Sequence, residues 1–284
     1  MRISTTEIDN TANRIEVIHN TLVLGIKDYF KKSGFEKAVL GLSGGIDSAV
    51  VLCLAAKALG NNNVRSLIMP SRYSSEHSVE DSIELSKRLG TQFDIINIEK
   101  SFCTFEESLA PIFEGTEQDV TEENIQARIR AVFLMAVANK FDCLLLNTSN
   151  KSELAVGYGT LYGDMAGGLS VIGDVYKTDV YKLAAYINRE NEIIPESIIR
   201  KLPSAELKPN QLDTDSLPDY DTLDNILYKY IELQMPVGEI AKNTDNKETV
   251  YRVVKLMKSS EYKRYQFPPI LVVSAKTLGR CTLL

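Results

Sequence analysis

The feature that most constrains the fold of this sequence is an alternation of short apolar runs with longer amphipathic segments. The apolar runs have the length of buried strands, and the segments between them carry apolar side chains at helical spacing. Strands are predicted at residues 38–42, 64–69, 93–98 and 143–147, and helices at 47–59, 76–89, 101–113 and 122–140. Such alternation forms a parallel sheet with right-handed crossovers. The pattern therefore predicts a doubly wound α/β fold flanked by helices, with its ligand beyond the carboxyl ends of the strands.

Outside this core, the sequence predicts an N-terminal helix, a glycine-rich loop and a helical C-terminal part. Residues 8–34 carry an apolar stripe at helical spacing that stops at Gly34. Residues 158–177 are rich in glycine and favour a functional loop over a linker. Helices at 178–188, 221–232, 236–242 and 247–258 and a proline-punctuated connection at 202–219 are predicted beyond it. We expect a single domain over 1–284, with the α/β core at 36–157 and the helical part at 178–284.

The overall charge and the cysteines narrow the classes of partner. The 284 residues carry a formal net charge of −6, so no general basic field attracts nucleic acid or an anionic membrane surface. The cysteines are too far apart for a zinc knuckle and lie mostly in apolar runs, as buried thiols do in a reducing compartment: Cys53, Cys103, Cys143 and Cys281. No segment resembles a signal peptide or reaches the roughly 18 apolar residues of a membrane span. We therefore expect a cytoplasmic protein without nucleic-acid or membrane partners.

The run Ser43-Gly44-Gly45-Ile46-Asp47-Ser48 follows the first predicted strand and opens a helix. Two glycines let the backbone amides approach an anion, while the positive end of the helix points to the same place. No lysine follows the glycines, so this is not a Walker A loop. Ser43 and Ser48 would offer hydroxyls, and Asp47 would bind the Mg²⁺ of a triphosphate. The alternative is a plain turn in which Asp47 or Ser48 only caps the helix.

Two more polar segments directly follow predicted strands. Pro70-Ser71-Arg72 comes after the second strand, and Thr148-Ser149-Asn150 comes after the fourth. Parallel strands bring their carboxyl ends to one edge of the sheet, so these segments should meet the Ser43 loop there. The sequence therefore predicts one ligand crevice built from three loops.

The Ser43 loop resembles the SGGxDS loop of the N-type ATP pyrophosphatases, which have an adenine nucleotide alpha hydrolase-like fold and cut ATP between its α and β phosphates. Further segments resemble NAD synthetase along nearly the whole chain: residues 124–128, 147–153, 162–164, 174–178 and 203–207. Residues 162–168 and 203–218 are most similar to the synthetase domain of glutamine-dependent NAD synthetases. Several ordered segments are more specific than one loop.

The resemblance implies an ATP-dependent ligase with Mg²⁺ as its cofactor. In that family the carboxylate of deamido-NAD attacks the α-phosphate of ATP, pyrophosphate leaves, and ammonia then displaces AMP to form NAD. The family also implies a homodimer. Two alternatives stay open, which are the same chemistry on another carboxylate or carbonyl and a nucleotide-binding regulator that has lost catalysis.

The resemblance also assigns roles around ATP. It implies that Asp47 and Glu153 bind Mg²⁺ and that Lys177 contacts the reacting groups at the α-phosphate. The other ATP contacts that it implies are Gly41, Ser43, Gly44, Gly45, Ser48, Arg72, Thr148 and Ser204. Without the resemblance, Glu153 would be a solvated first-turn glutamate and Lys177 a surface charge. Thr148 and Ser204 would be ordinary caps.

A second group of residues is implied for deamido-NAD and ammonia. Asn124 and Arg128 are four residues apart on a predicted helix, so they share a face and can reach one ligand. The resemblance directs this pair toward deamido-NAD, whereas spacing alone favours an outward polar face. Asp164 matches an acidic position near the nicotinate and could orient ammonium or take its proton. An isolated aspartate beside glycine is otherwise typical of a turn. The implied catalytic residues are thus Asp47, Asp164 and Lys177.

Two departures from the family bear on nitrogen supply and substrate contacts. Ammonia-dependent members often carry an acid where this chain has Gly168, and Met165 and Ala166 replace the glycines after Asp164. Glutamine-dependent members carry a nitrilase-like glutaminase domain at the N-terminus, for which residues 1–42 leave no room. We therefore expect free ammonia, or ammonia from a separate glutaminase protein, as the nitrogen source.

Overall fold

The computed structural model describes the backbone of residues 5–244 and 246–278, with side chains from residue 13 onward. Five strands pair in parallel within this part: β1 (Lys37–Gly41), β2 (Val64–Ile68), β3 (Gln92–Ile95), β4 (Cys143–Asn147) and β5 (Leu169–Ser170). Their order is β3-β2-β1-β4-β5. The order reverses between β1 and β4, which is the position where doubly wound sheets bind ligands. The predicted doubly wound fold is confirmed.

The strands are flanked by helices on both faces. The described helices are α1 (Thr5–Ser33), α2 (Ile46–Leu59), α3 (Glu76–Leu89), α4 (Glu99–Leu109), α5 (Val120–Phe141), α6 (Lys151–Val156), α7 (Lys177–Ile187), α8 (Glu196–Arg200), α9 (Tyr220–Ile231), α10 (Val237–Lys242), α11 (Lys247–Ser259) and α12 (Glu261–Arg264). None of those within the described ranges is long and apolar enough to cross a bilayer. The predicted helical C-terminal part is present.

Burial on both faces of the sheet explains why its strands are continuously apolar. Leu40 of β1 packs into a core with α1, α2 and α7, whereas Val39 packs into a second core with α4 and α5. Successive strand residues point to opposite faces, so both must be apolar when helices cover both faces. A third core joins α6 to α9, α10 and α11. This third core anchors the C-terminal end of α6 through Ala155 and Val156, and the first turn of the same helix holds functional residues described below.

Local capping explains where the structure departs from the predicted boundaries. The strand predicted at 93–98 ends at Ile95, and the side chain of Asn97 then accepts a hydrogen bond from the amide of Glu99, the first residue of α4. Helix α5 begins at Val120 because Asp119 and Glu122 form a capping box. Short elements were missed altogether, since two to five residues are too few to show a period. They are β5, inside the loop predicted at 158–177, and the helices α8 and α12.

The cysteines follow the sequence-based expectation where they are described. Cys53 and Cys143 are buried, and Cys103 is half-buried. Burial raises the pKa of the Cys53 thiol to about 12, which keeps it protonated. Cys281 lies outside the described residues.

Gly44 is required by the packing of the loop as well as by its conformation. Its φ is +77°, and a Cβ there would stand 2.5 Å from the carbonyl oxygen of Ser78 on α3. Gly34 has nearly the same φ, +78°, but a Cβ there would meet nothing within 4 Å. Both glycines need a left-handed backbone conformation, but only Gly44 also packs closely against another helix.

Replacing each glycine with alanine should separate these two effects. We expect Gly34→Ala to lower the free energy of unfolding by about 1 kcal/mol through the left-handed φ alone. Gly44→Ala should lower it by about 2–4 kcal/mol, because overpacking adds about 1–3 kcal/mol. Urea unfolding followed by circular dichroism measures both. Equal losses in the two variants would contradict the close approach of the loop to α3.

Candidate active site

A cavity of about 880 Å³ opens at the carboxyl ends of β1, β2 and β4. The three loops that the sequence directs to one crevice all contribute to its wall. The residues with predicted roles that line it are Gly41, Ser43, Gly45, Asp47, Ser48, Asn124, Thr148, Glu153, Asp164, Lys177 and Ser204. Most of the predicted site is therefore brought together in one place.

The loop after β1 is held by its own serines. The Ser43 amide donates to Ser48 Oγ (3.3 Å), and Ser48 Oγ donates to the carbonyl oxygen of Gly45 (3.0 Å). Gly45 is the N-cap of α2 and supplies no side-chain cap, while Asp47 points to another element. The positive end of α2 therefore opens into the cavity, where an anion can accept from its amides. This geometry favours the anion-binding interpretation over a capping role for Asp47 or Ser48.

The first turn of α6 brings a second carboxylate beside Asp47. Asn150 caps this helix by accepting from the Glu153 amide at 3.0 Å, and a Glu153 oxygen accepts from the Asn150 amide at 3.3 Å. The amide group of Asn150 also donates to Asp47 Oδ1 at 2.9 Å. The cap thus ties the N-termini of α2 and α6 together across the switch point of the sheet.

Lys177, the first residue of α7, lies between these two carboxylates. Its ammonium donates to Asp47 and stands 3.7 Å from Glu153. Burial alone would lower the pKa of Lys177, but Asp47 and Glu153 outweigh it and raise the pKa. Burial and the charge of Asp47 raise the pKa of Glu153 well above its usual range. One lysine therefore faces two acids, and the raised pKa of Glu153 shows that a second negative charge is unfavourable here.

A third acid near this pair was not singled out in the sequence. Asp213 accepts hydrogen bonds from Tyr220 (2.7 Å) and Tyr158 (3.1 Å), and burial raises its pKa. The ring of Tyr220 lies 5.1 Å from the ammonium of Lys177. An aspartate in a proline-punctuated connection carries no local signal of such a position, because the connection meets the cavity only through tertiary packing.

Asp164, in the segment that follows α6, lines the cavity. Its carboxylate accepts from the Thr160 amide at 2.6 Å, and the protein that surrounds it raises its pKa, against this hydrogen bond and the charge of Lys263. Lys263 also lines the cavity and donates to the carbonyl oxygens of Gly157 (2.8 Å) and Gly159 (2.7 Å). Lys263 is a second cavity residue that the sequence patterns did not reveal.

Asn124 and Arg128 both hold the same segment in place. Asn124 accepts from the Thr160 hydroxyl at 2.6 Å, and Arg128 donates to the carbonyl oxygen of Leu161 at 3.2 Å. Arg128 is exposed and is not part of the cavity wall. Arg130 is the arginine of α5 that lines the cavity, where burial lowers its pKa to about 10. Spacing along the helix identified the shared face, and the packing of α5 decides which arginine points inward.

Two other predicted ATP contacts lie outside the cavity wall. The Arg72 guanidinium donates to Glu99 (2.6 Å) and Glu106 (3.2 Å) on α4, away from the cavity. Gly44 faces Ser78 of α3. A direct contact of Arg72 with ATP stays a prediction, and the contribution of Gly44 is to let the loop turn.

The comparison with known families decides the class of protein. The NAD synthase family model matches residues 18–267. The chain belongs to the NAD synthase family. The resemblance drawn from the sequence motifs is therefore confirmed.

Known NAD synthases and one related enzyme share sequence and fold with the chain. A glutamine-dependent NAD(+) synthetase from Synechocystis is 50% identical over 264 residues, which are 93% of this chain and 47% of the relative. The NH3-dependent NAD synthetase structure from Campylobacter jejuni has a TM-score of 0.72 at 30% identity, covering 88% of this chain and 95% of that one. The NMN synthetase structure from Francisella tularensis has a TM-score of 0.76 at 29% identity, with the same coverage. The chain spans about half the length of the curated relatives it matches.

The charges around Glu153 can be tested by titration. Asp47→Asn removes the carboxylate that raises the pKa of Glu153, so this pKa should fall; Lys177→Met removes the cation that lowers it, so it should rise further. Carbon-13 NMR of protein labelled at the glutamate carboxyl carbons measures both, with Glu153→Gln identifying the signal. Shifts in the same direction would show that Glu153 does not respond to these two charges.

Proposed function

We propose that this chain joins ammonia to the carboxylate of deamido-NAD in an ATP-dependent reaction that forms NAD and releases AMP and pyrophosphate. Membership of the NAD synthase family supports the reaction class. The observation that carries the proposal is the contact of Lys177 with Asp47, which belongs to the loop 43–48. This arrangement places a buried cation next to an anion-binding helix terminus, as phosphate activation requires.

The first step activates the carboxylate. The phosphates of ATP would lie against the amides of the loop 43–48, at the positive end of α2. Lys177, whose pKa is raised, stays protonated and offers its charge to the α-phosphate. The carboxylate of deamido-NAD attacks the α-phosphorus, the bond to the β-phosphate breaks, and pyrophosphate leaves. Ser204 and Thr148 line the cavity and would contact the nucleotide.

Asp47 and Glu153 are proposed to hold Mg²⁺. Their fit rests on the charge of the site, because burial and the neighbouring carboxylate hold the pKa of Glu153 high and a cation would relieve this repulsion. Among the described residues no three His, Cys, Asp or Glu side chains are grouped to hold an ion by themselves. Phosphate oxygens would complete the ligand set. When bound, the ion would neutralise charge on the phosphates.

The second step transfers nitrogen. Ammonia attacks the carbonyl carbon of the adenylated substrate, and AMP leaves. Ammonium must first lose a proton. Asp164 lines the cavity, and its raised pKa makes its carboxylate a better proton acceptor. Asn124, together with Arg128, would hold the substrate through the segment 158–177 that both residues contact.

We also propose that the chain forms a homodimer through the outer face of α5. Val132 and Met135 are three residues apart on this helix and are 68% and 41% exposed. They continue along the same face from Arg128, which contacts the segment 158–177 at Leu161. An exposed apolar face of this kind favours burial against a second copy, and it would bring that copy beside the substrate segment.

The reaction is tested by product analysis with defined substrates. With ATP, Mg²⁺ and ammonium at alkaline pH, the protein should form NAD, AMP and pyrophosphate when deamido-NAD is present. Nicotinic acid mononucleotide serves as the second acid, because a structural relative is an NMN synthetase. Glutamine without ammonium should give no NAD. Equal AMP release with another acid would overturn the assignment of substrate.

The dimer is tested by a charged substitution on the outer face of α5. Val132→Glu would bury a carboxylate in the contact, so the species near twice 31.7 kDa should shift toward 31.7 kDa in sedimentation velocity. Val17→Glu is the matched control, since Val17 is a valine of α1 that is 57% exposed. An unchanged mass in Val132→Glu, or a wild-type protein of single-chain mass, would contradict the proposed interface.

A further inference from the structure

The N-terminus of α7 is capped by side chains from two other helices. Tyr176 precedes this helix and provides no side-chain cap. Instead, the Lys177 amide donates to Ser152 Oγ of α6 at 2.9 Å, and the Thr178 amide donates to Asp224 Oδ2 of α9 at 2.9 Å. The Ser152 hydroxyl in turn donates to Asp224 Oδ1. One hydroxyl and one carboxylate thus satisfy amides that a helix leaves without internal partners.

This cap is buried and lies outside the cavity wall. Ser152 is 0% exposed, Asp224 is 6% exposed, and neither lines the cavity. They therefore do not touch a substrate. Water cannot replace their hydrogen bonds, so these two groups hold the backbone at Lys177 in one place.

The cap also joins the two sides of the charged site. Ser152 is followed directly by Glu153, so the residue that fixes the backbone of Lys177 adjoins a carboxylate that faces the ammonium of the same lysine. A lysine side chain is long and flexible, so the position of its charge depends on where its backbone starts and on the partners that hold its end. Ser152 fixes the position of the Lys177 backbone, and Glu153 and Asp47 hold the end of its side chain.

We propose that Ser152 and Asp224 are positioning residues that aim Lys177 at the reacting phosphate. The inference rests on the proposed function in so far as Lys177 acts on a phosphate. It goes beyond that function in assigning two residues that act only through the backbone of α7. A plain structural role would stabilise the fold without acting through Lys177, and the two roles differ in measurable ways.

The first test compares turnover in two backgrounds. Ser152→Ala and Asp224→Asn should each lower kcat about tenfold to a hundredfold with ATP, deamido-NAD and ammonium, because a misplaced charge loses that much. In the Lys177→Ala background, the same changes should lower kcat no further. Ser86→Ala is the control, since Ser86 is a fully buried serine of α3 whose hydroxyl donates to the Ser82 carbonyl oxygen at 2.9 Å. It should leave kcat unchanged.

The second test needs no activity. The ammonium of Lys177 donates to Asp47, so its nitrogen-15 NMR signal at a fixed pH reports where the side chain ends. This signal should shift in Ser152→Ala and in Asp224→Asn and should stay in place in Ser86→Ala, and its loss in Lys177→Met identifies it. Asp224→Asn changes almost no volume and remains informative where Ser152→Ala fails to fold.

The outcomes separate the inference from the proposed function. A kcat loss of equal size with and without Lys177, or an unmoved Lys177 ammonium signal in a folded Asp224→Asn protein, would overturn the positioning role. A wild-type protein that forms no NAD would overturn the proposed function alone, because the ammonium signal still reports where Lys177 points. Loss of turnover that disappears in the Lys177→Ala background, together with a shifted Lys177 ammonium signal, is the result expected for positioning residues.

Discussion

The contact between Lys177 and the carboxylates of Asp47 and Glu153 is the interaction on which the rest of the site depends. It joins the N-termini of α2, α6 and α7, although Asp47 and Lys177 are 130 residues apart in the sequence. Buried charges are tolerated only when each has a partner, so none of these three helices can move alone without leaving a charge exposed to an apolar surrounding. The charged form of the second carboxylate is unfavourable without a further cation, which makes the site receptive to cations and to the phosphates that they accompany.

The first turn of α6 and its cap join four neighbouring side chains to five charged partners. Asn150 donates to Asp47, Ser152 donates to Asp224, and Glu153 faces Lys177. Lys151 is fully buried and contacts Asp174 (2.9 Å) and Glu232 (2.6 Å). A helix of six residues has little stability of its own, so these contacts rather than intrinsic propensity fix its place. The switch point of the sheet determines where the site lies, and the first turn of α6 links the helices around it.

Much of this architecture can be predicted from the sequence, because the period of apolar residues and the residues after each strand are local signals. Alternation was enough for the parallel sheet, and the loop after β1 was enough for the position of Asp47. Asp213 and Lys263 could not be found in this way, since each reaches the cavity only after the C-terminal helices fold back onto α6. The choice between Arg128 and Arg130 likewise depends on how α5 rotates against the sheet, and spacing along one helix cannot fix that rotation.

The buried Lys151 also makes the first turn of α6 depend on a segment far along the chain. Its ammonium donates to Ser274 (2.8 Å) and to the carbonyl oxygen of Lys276, and Glu232 accepts from the Lys276 amide at 3.1 Å. Asp174 accepts from the Ser274 amide at 2.7 Å. A nascent chain that has not yet exposed residues 274–276 therefore lacks groups that surround this charge. The turn that carries Glu153 is therefore fixed only when residues 274–276, more than a hundred residues further along the chain, have packed against it.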